Sequence, residues 1–189
     1  MRHMSFFEPL PPQPEPAERK WAPPAWDRPS EGTLPATLAV NAVLGREERA
    51  VVAVPSLDVY PNGFLINVRI LLDPNSAQEI RAMLHGPRIG MVRIGVRFAD
   101  GRVGGRGLRG QGDLARDEEG FPTQPHVGHA GGGGGSGGWR FGAWVYPLPP
   151  EGPLEIFVAL PPPSGREYSL VIEGEKVREA AQRASVIWS

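Results

Sequence analysis

His126 and His129 are the closest pair of imidazoles in the chain, and Asp113, Asp117, Glu118 and Glu119 stand shortly before them. Imidazole nitrogens with carboxylates make a donor set for a hard or borderline metal ion, and one imidazole near neutral pH can serve as acid or base. The setting opposes the metal. Ligands three residues apart converge when a helix holds them, whereas Gly128 and the glycine-rich run from Gly131 to Gly138 leave this backbone free, so ordering it would oppose binding. The expectation is an exposed loop with no metal and no cofactor.

Other matches fail on context. Gly105-x-Gly107-x-x-Gly110 has the spacing of a dinucleotide fingerprint, which requires a buried parallel strand before it and a helix after it. Gln111-Gly112 opens no helix. Gly134-Gly135-Ser136-Gly137-Gly138 satisfies Gly-x-Ser-x-Gly, but a nucleophile elbow turns from strand to helix, and here a strand follows a glycine repeat. Neither Lys20 nor Lys176 sits in a phosphate loop, and the absence of cysteine removes thiolate catalysis, disulfides and thiolate metal sites. Arg102, Arg106 and Arg109 alternate with glycines in the manner of RNA-binding tracts. Four arginines and four acids between Gly101 and Gly120 cancel, however, and so small a footprint loses affinity steeply with salt. No triad or rigid pair of carboxylates can be assembled, which favours a non-enzymatic protein.

The elements that position these residues follow from composition and period. Glycine (25) and proline (22) make a quarter of the 189 residues, which limits regular helix, and 20 basic against 21 acidic residues give no overall attraction to nucleic acid or anionic membrane. Residues 1–35 hold nine prolines and read as a flexible, proline-rich arm. Residues 36–189 read as one β-rich domain. Period-2 alternation predicts strands over 37–44, 49–60, 64–72, 92–98, 139–146, 154–160 and 168–173. Tyr60-Pro61-Asn62-Gly63 is a hairpin turn, with glycine expected in a left-handed position, and Pro55 should split its strand or mark an edge. Asn75 to Leu84 and Glu175 to Ala184 are predicted helices, and Ile187-Trp188 should pack back on the domain. Asp100 to Gly138 is a long Gly/Arg-rich insertion, expected to be flexible. The predicted fold is an antiparallel β-sandwich of about seven strands, Ig-like in size, with two short helices.

Alternation also selects a candidate surface. Arg69, Arg93 and Arg97 face away from the core, and Arg140, Trp144 and Tyr146 share the face opposite Trp139 and Phe141. Arginine and exposed aromatics supply binding hot spots, although such arginines also pair with carboxylates such as Asp58, Glu155 or Glu173 on ordinary sheet faces. Trp21 and Trp26 of the arm, flanked by prolines, could engage a partner protein or fold back on the arginine face as a clasp.

Trp21-Ala-Pro-Pro-Ala-Trp26-Asp-Arg-Pro29, Val59-Tyr-Pro-Asn-Gly-Phe64, Arg97-Phe-Ala-Asp-Gly-Arg102 and Pro147-Leu-Pro-Pro-x-Gly-Pro-Leu154 together resemble a group of uncharacterised bacterial proteins from high-GC genomes. Eighteen arginines against two lysines suit such a genome. The resemblance implies a bacterial cytosolic protein and transfers no functional residue. With neither a signal-peptide run nor an apolar stretch of about 20 residues, the expected location is the cytoplasm, without membrane contact. The sequence thus predicts a protein-interaction module with a protein partner. An enzyme or small-ligand binder with its site under the 100–138 loop is the second reading, and weak RNA binding through the Arg-Gly loop is the third.

Overall fold

The computed structural model describes residues 24–75, 92–105, 115–135, 137–160 and 164–188. In chain order the described elements are β1 (Thr33–Leu34), β2 (Ala36–Arg46), β3 (Ala50–Tyr60), β4 (Gly63–Leu72), β5 (Arg93–Arg97) and β6 (Val103–Gly105). They continue with β7 (His126–Gly135), β8 (Gly138–Tyr146), β9 (Pro153–Ala159), β10 (Glu167–Glu173), α1 (Gly174–Ala181) and β11 (Ser185–Val186). All pairing is antiparallel. One open sheet runs β2-β3-β4-β8-β7, a second runs β10-β9-β5-β6, and β1 pairs with β11. The protein is therefore mainly β, as its alternation predicts, with eleven described strands rather than about seven because several pieces are very short. Among the described residues no helix is long and apolar enough to cross a membrane.

The seven predicted strands appear within about a residue or two of their expected limits. Burial follows their period: Phe64, Ile66, Val68, Ile70 and Leu72 of β4 are buried, and so are Leu154, Ile156 and Val158 of β9. These rows join Ile94, Val96, Trp139 and Val145 in one apolar cluster fed by both larger sheets. Each such side chain contributes roughly 1.5–3 kcal/mol by leaving water. Val177 and Ala180 carry α1 into the same cluster.

Pro55 does not split β3, which is continuous and central. Proline lacks the amide that a ladder needs, and the registers shift around it instead: Ala53 to Ser56 against β4, and Ala39 to Ala42 on β2. Asn41 takes φ 51° within the β2 bulge, where its short polar side chain tolerates a left-handed backbone. Gly63 is glycine for a reason other than its predicted left-handed φ. A Cβ there would stand 2.3 Å from the Val145 carbonyl oxygen and 2.7 Å from the Trp144 ring.

The segment 100–138 contains β6 and β7, and Arg116 bridges Pro122 in a small turn, so much of the expected excursion is paired backbone. Residues 106–114 lie outside the described residues, as does the predicted helix beyond Asn75. Backbone hydrogen bonds hold the described carboxyl end: Ile187 and Trp188 donate their amides to the Gly32 carbonyl at 2.7 and 3.1 Å, while Trp188 remains 77% exposed.

Where the arm is described, residues 24–32 lie on the domain. Asn62, at the tip of the β3–β4 turn, holds them. Its Oδ1 accepts from Ser30 N (3.2 Å) and Ser30 Oγ (2.8 Å), and its Nδ2 donates to the carbonyls of Ala25 (2.7 Å) and Arg28 (3.0 Å). Aspartate would repel both carbonyls; the amide supplies donor and acceptor at once. Asn62→Ala should therefore lower stability by about 1–3 kcal/mol, read as a lower chemical-denaturation midpoint with unchanged slope, and Asn62→Asp should lower it too.

Candidate interaction surface

The register of β4 with β8 places Arg69 directly opposite Arg140 on the outer face of the five-stranded sheet. Both side chains are exposed, and neither has an ion-pair partner among the described residues. Like charges directly opposite across a pair of strands oppose folding by a few tenths of a kcal/mol, up to about 1. Asp58, a carboxylate on this face, is engaged elsewhere. It accepts from Asn67 Nδ2 at 2.9 Å and from Thr37 Oγ1 at 3.1 Å, while Asn67 also donates to Ser56 at 3.1 Å.

Beside the arginines lies an open trough of about 1030 Å³, floored by Ser56, Asn67 and Gly142 and bordered by the glycines of β7. Its floor is low because Gly142 has no side chain, and a Cβ there would meet the Ala130 carbonyl oxygen at 2.9 Å. The trough presents two guanidinium forks beside neutral amide and hydroxyl groups. That is the chemistry of carboxylate or phosphate recognition.

Trp144 shares this outer face, as predicted, but it is not available to a partner. It is 1% exposed, and the chain's own Trp26, itself 8% exposed, lies beside it. The Trp144 indole donates to the Trp26 carbonyl at 2.8 Å, and the Tyr60 ring meets Trp144 edge to face at 5.8 Å. Trp26 thus forms a clasp, on a different patch from the arginine face. Its cation is Arg116, whose guanidinium lies 4.9 Å from the Trp26 ring centre. Arg116 stands there because Asp117 accepts the Glu119 and Phe121 amides, closing the turn that also stacks Phe121 on Tyr146 at 6.3 Å. Trp21 lies outside the described residues.

Arg93 and Arg97 belong to the other sheet, so the six-residue face expected of Arg69, Arg93, Arg97, Arg140, Trp144 and Tyr146 divides between two surfaces. The facing predicted by alternation is a local property, and strand order separates these residues. Arg97 pairs with Glu155 at 3.1 Å and lies 5.2 Å from the Phe157 ring centre, the ordinary fate of a sheet arginine. Arg102 is likewise held, donating to Asp100 at 2.8 Å beside the Phe98 ring. Arg106 and Arg109 lie outside the described residues.

His126 and His129 sit on β7 rather than on a loop. A spacing of three along a strand sends side chains to opposite faces: His126 pairs with Tyr146 outside, and His129 with Ala143 inside. The pair cannot converge on one ion. His129 borders a cavity of about 380 Å³ lined by Ile94, Val127, Trp139, Phe141 and the glycines 132–134. His126 meets the edge of Trp26 at 5.0 Å, and its Nε2 is buried without a hydrogen bond, 3.5 Å from Asp27 Oδ1. Asn62, Asp27, His126 and Arg116 were not singled out as an arm-docking set by sequence reasoning. The one available signal was a tryptophan on the outer face of β8 that something had to cover.

Burial pushes the His126 imidazole below its ordinary value and Arg116 adds to this, while the Asp27 carboxylate opposes them. The loss of water outweighs the partly exposed carboxylate. A base depressed in the docked state binds fewer protons there than when released. Docking is then fully supported above about pH 6.5 and weakens as pH falls below it. The Trp144 indole proton should exchange faster, after correction for intrinsic rate, at pH 5 than at pH 7, and His126→Gln should flatten that dependence. No protein-family model, curated protein or solved structure matches the chain.

Proposed function

We propose that this chain is a non-enzymatic protein-interaction module, built as an Ig-sized β-sandwich, that receives an acidic segment of a partner protein on the outer face of its five-stranded sheet. The observation that carries the reading is the Arg69–Arg140 pair: two like charges held opposite each other, without an ion-pair partner among the described residues, beside an open trough. An arrangement that opposes folding and is complementary to an anion fits a binding role. Two arginines are too few for the phosphate footprint of nucleic acid, and the balanced net charge adds no long-range attraction, which favours carboxylates on a polypeptide. Trp26 serves the fold in this reading, and any recruitment by the arm falls to Trp21 and the earlier prolines. The resemblance to high-GC bacterial proteins supports a bacterial, cytoplasmic setting.

Small-ligand binding is the second reading, favoured by the inter-sheet cavity with His129 at its border. A ligand thermal-shift screen whose hits vanish in His129→Ala would support it, and a flat screen would count against it.

The preferred reading makes opposite demands on stability and binding. Arg140→Thr should leave stability unchanged or raise it by up to about 1 kcal/mol, while weakening capture of fluorescent poly-glutamate at least tenfold at moderate salt. Arg93→Thr, on the other sheet, should leave capture unchanged. Equal binding by all three proteins would overturn the reading.

A further inference from the structure

We propose that the acidic partner binds by adding a strand to the free edge of β7, with acidic and apolar residues alternating along it. The inference rests on the assignment of Arg69 and Arg140 to an acidic partner and specifies how that partner lies.

β7 ends the five-stranded order, so one side of its backbone faces no strand in that sheet. Among the described strands, β6 comes close to the residue just before β7, where a Cβ on Gly104 would stand 2.0 Å from the Pro125 carbonyl oxygen. Residues 129–135 are exposed. Sheet edges are commonly protected by lysine, proline or inward charges. From Ala130 to Gly135 this edge has none of these, and its bulge lies between His129 and Gly132, before its last glycines.

The glycines on β7 divide into two kinds. Gly132 and Gly134 are required by neighbours inside: a Cβ on the first would stand 2.8 Å from the Arg140 carbonyl oxygen, and one on the second would enter the Trp139 ring. Gly133 and Gly135 have open space where a Cβ would stand, so nothing within the described protein demands glycine there. Gly133 is the residue opposite Arg140. Without a side chain at Gly133, the Arg140 guanidinium has a clear path across β7 to an added strand, two strand spacings or roughly 10 Å from its own backbone.

An added residue in that row would present its carboxylate to Arg140, with Arg69 behind it. Its neighbours along the strand would point to the other face, beside the glycines 132–134, where the cavity of about 380 Å³ offers Trp139, Phe141 and Ile94. The outer face thus selects acid and the inner face selects apolar side chains, at the period of an extended strand. Backbone pairing would supply affinity, and the alternate side chains would supply specificity.

The test compares two acetylated peptides of one composition, alternating Val-Glu-Val-Glu-Val-Glu and blocked Val-Val-Val-Glu-Glu-Glu, against the full chain. Affinity is measured by fluorescence anisotropy, and amide exchange of residues 129–135 by NMR. The alternating peptide should bind at least tenfold more tightly than the blocked one and slow exchange at some of these amides at least tenfold. Gly133→Glu, placed in open space, should weaken it at least tenfold, as should Arg140→Ala. Equal binding of both peptides that depends on Arg69 and Arg140 but leaves the amides unprotected would overturn strand addition and leave the acidic-partner reading standing. Binding of neither peptide, or stronger arginine-dependent binding of a single-stranded oligonucleotide, would overturn both. Amides 131–135 already protected in the free chain would show the edge to be occupied, and would also overturn strand addition.

Discussion

The pairing of β4 with β8 is the constraint on which the rest depends. These strands are joined across about seventy residues of sequence, and their register decides both faces of the central sheet at once. On the inner side it sets Ile66 by Ala143, Val68 by Phe141 and Ile70 by Trp139; on the outer side it sets Leu65 by Trp144, Asn67 by Gly142 and Arg69 by Arg140. A slip of one residue would turn the apolar row to water and the arginines into the cluster. The burial of the inner row therefore enforces the juxtaposition of the two arginines. Their repulsion is small beside the apolar area that holds the register.

The outer face created by this register is finished differently at its two ends. Near the β3–β4 turn it carries Tyr60 and Trp144, large rings that would otherwise lie open to water, and the chain closes over them with residues 24–32. Asn62 satisfies the backbone of that segment, while the Trp26 carbonyl accepts from the Trp144 indole and the Trp26 ring is itself buried. Farther along, small residues take over: Ser56, Gly142 and the β7 glycines leave a low floor around Arg69 and Arg140. One sheet face is thus divided between a region sealed by the chain itself and a region that presents paired cations. His126 stands at the sealed end, where the exclusion of water both packs Trp26 and depresses the imidazole.

Much of the fold was legible because period-2 alternation is a local property. Val92 to Phe98, Phe64 to Leu72 and Leu154 to Leu160 each declare an inner face from their own residues, and the structure buries those faces. The turn at Pro61-Asn62 was equally local. The glycine run was misread in part, since composition that disfavours a strand in isolation is overridden when β8 supplies backbone partners on both sides of the bulge between His129 and Gly132. The side chains of Ile187 and Trp188 illustrate the opposite limit. Their apolar character suggested burial, yet backbone hydrogen bonds hold that end and leave the rings and alkyl groups outside.

The sequence by itself determined the seven strongly alternating strands and which side chains share a face within each, because successive Cβ atoms alternate irrespective of what lies alongside; the glycine-rich β7 and the short strands were not among them. It also placed Trp144 outward and His126 and His129 in a segment rich in glycine. Beyond the β3–β4 hairpin declared by its own turn residues, only the tertiary structure decided which strands are neighbours. That choice separated Arg93 and Arg97 from Arg69, brought Arg140 opposite Arg69, set the two histidines on opposite faces of β7, and brought Trp26 beside Trp144. Strand order is fixed by the shared burial of rows distant in sequence, a nonlocal balance that no single segment contains.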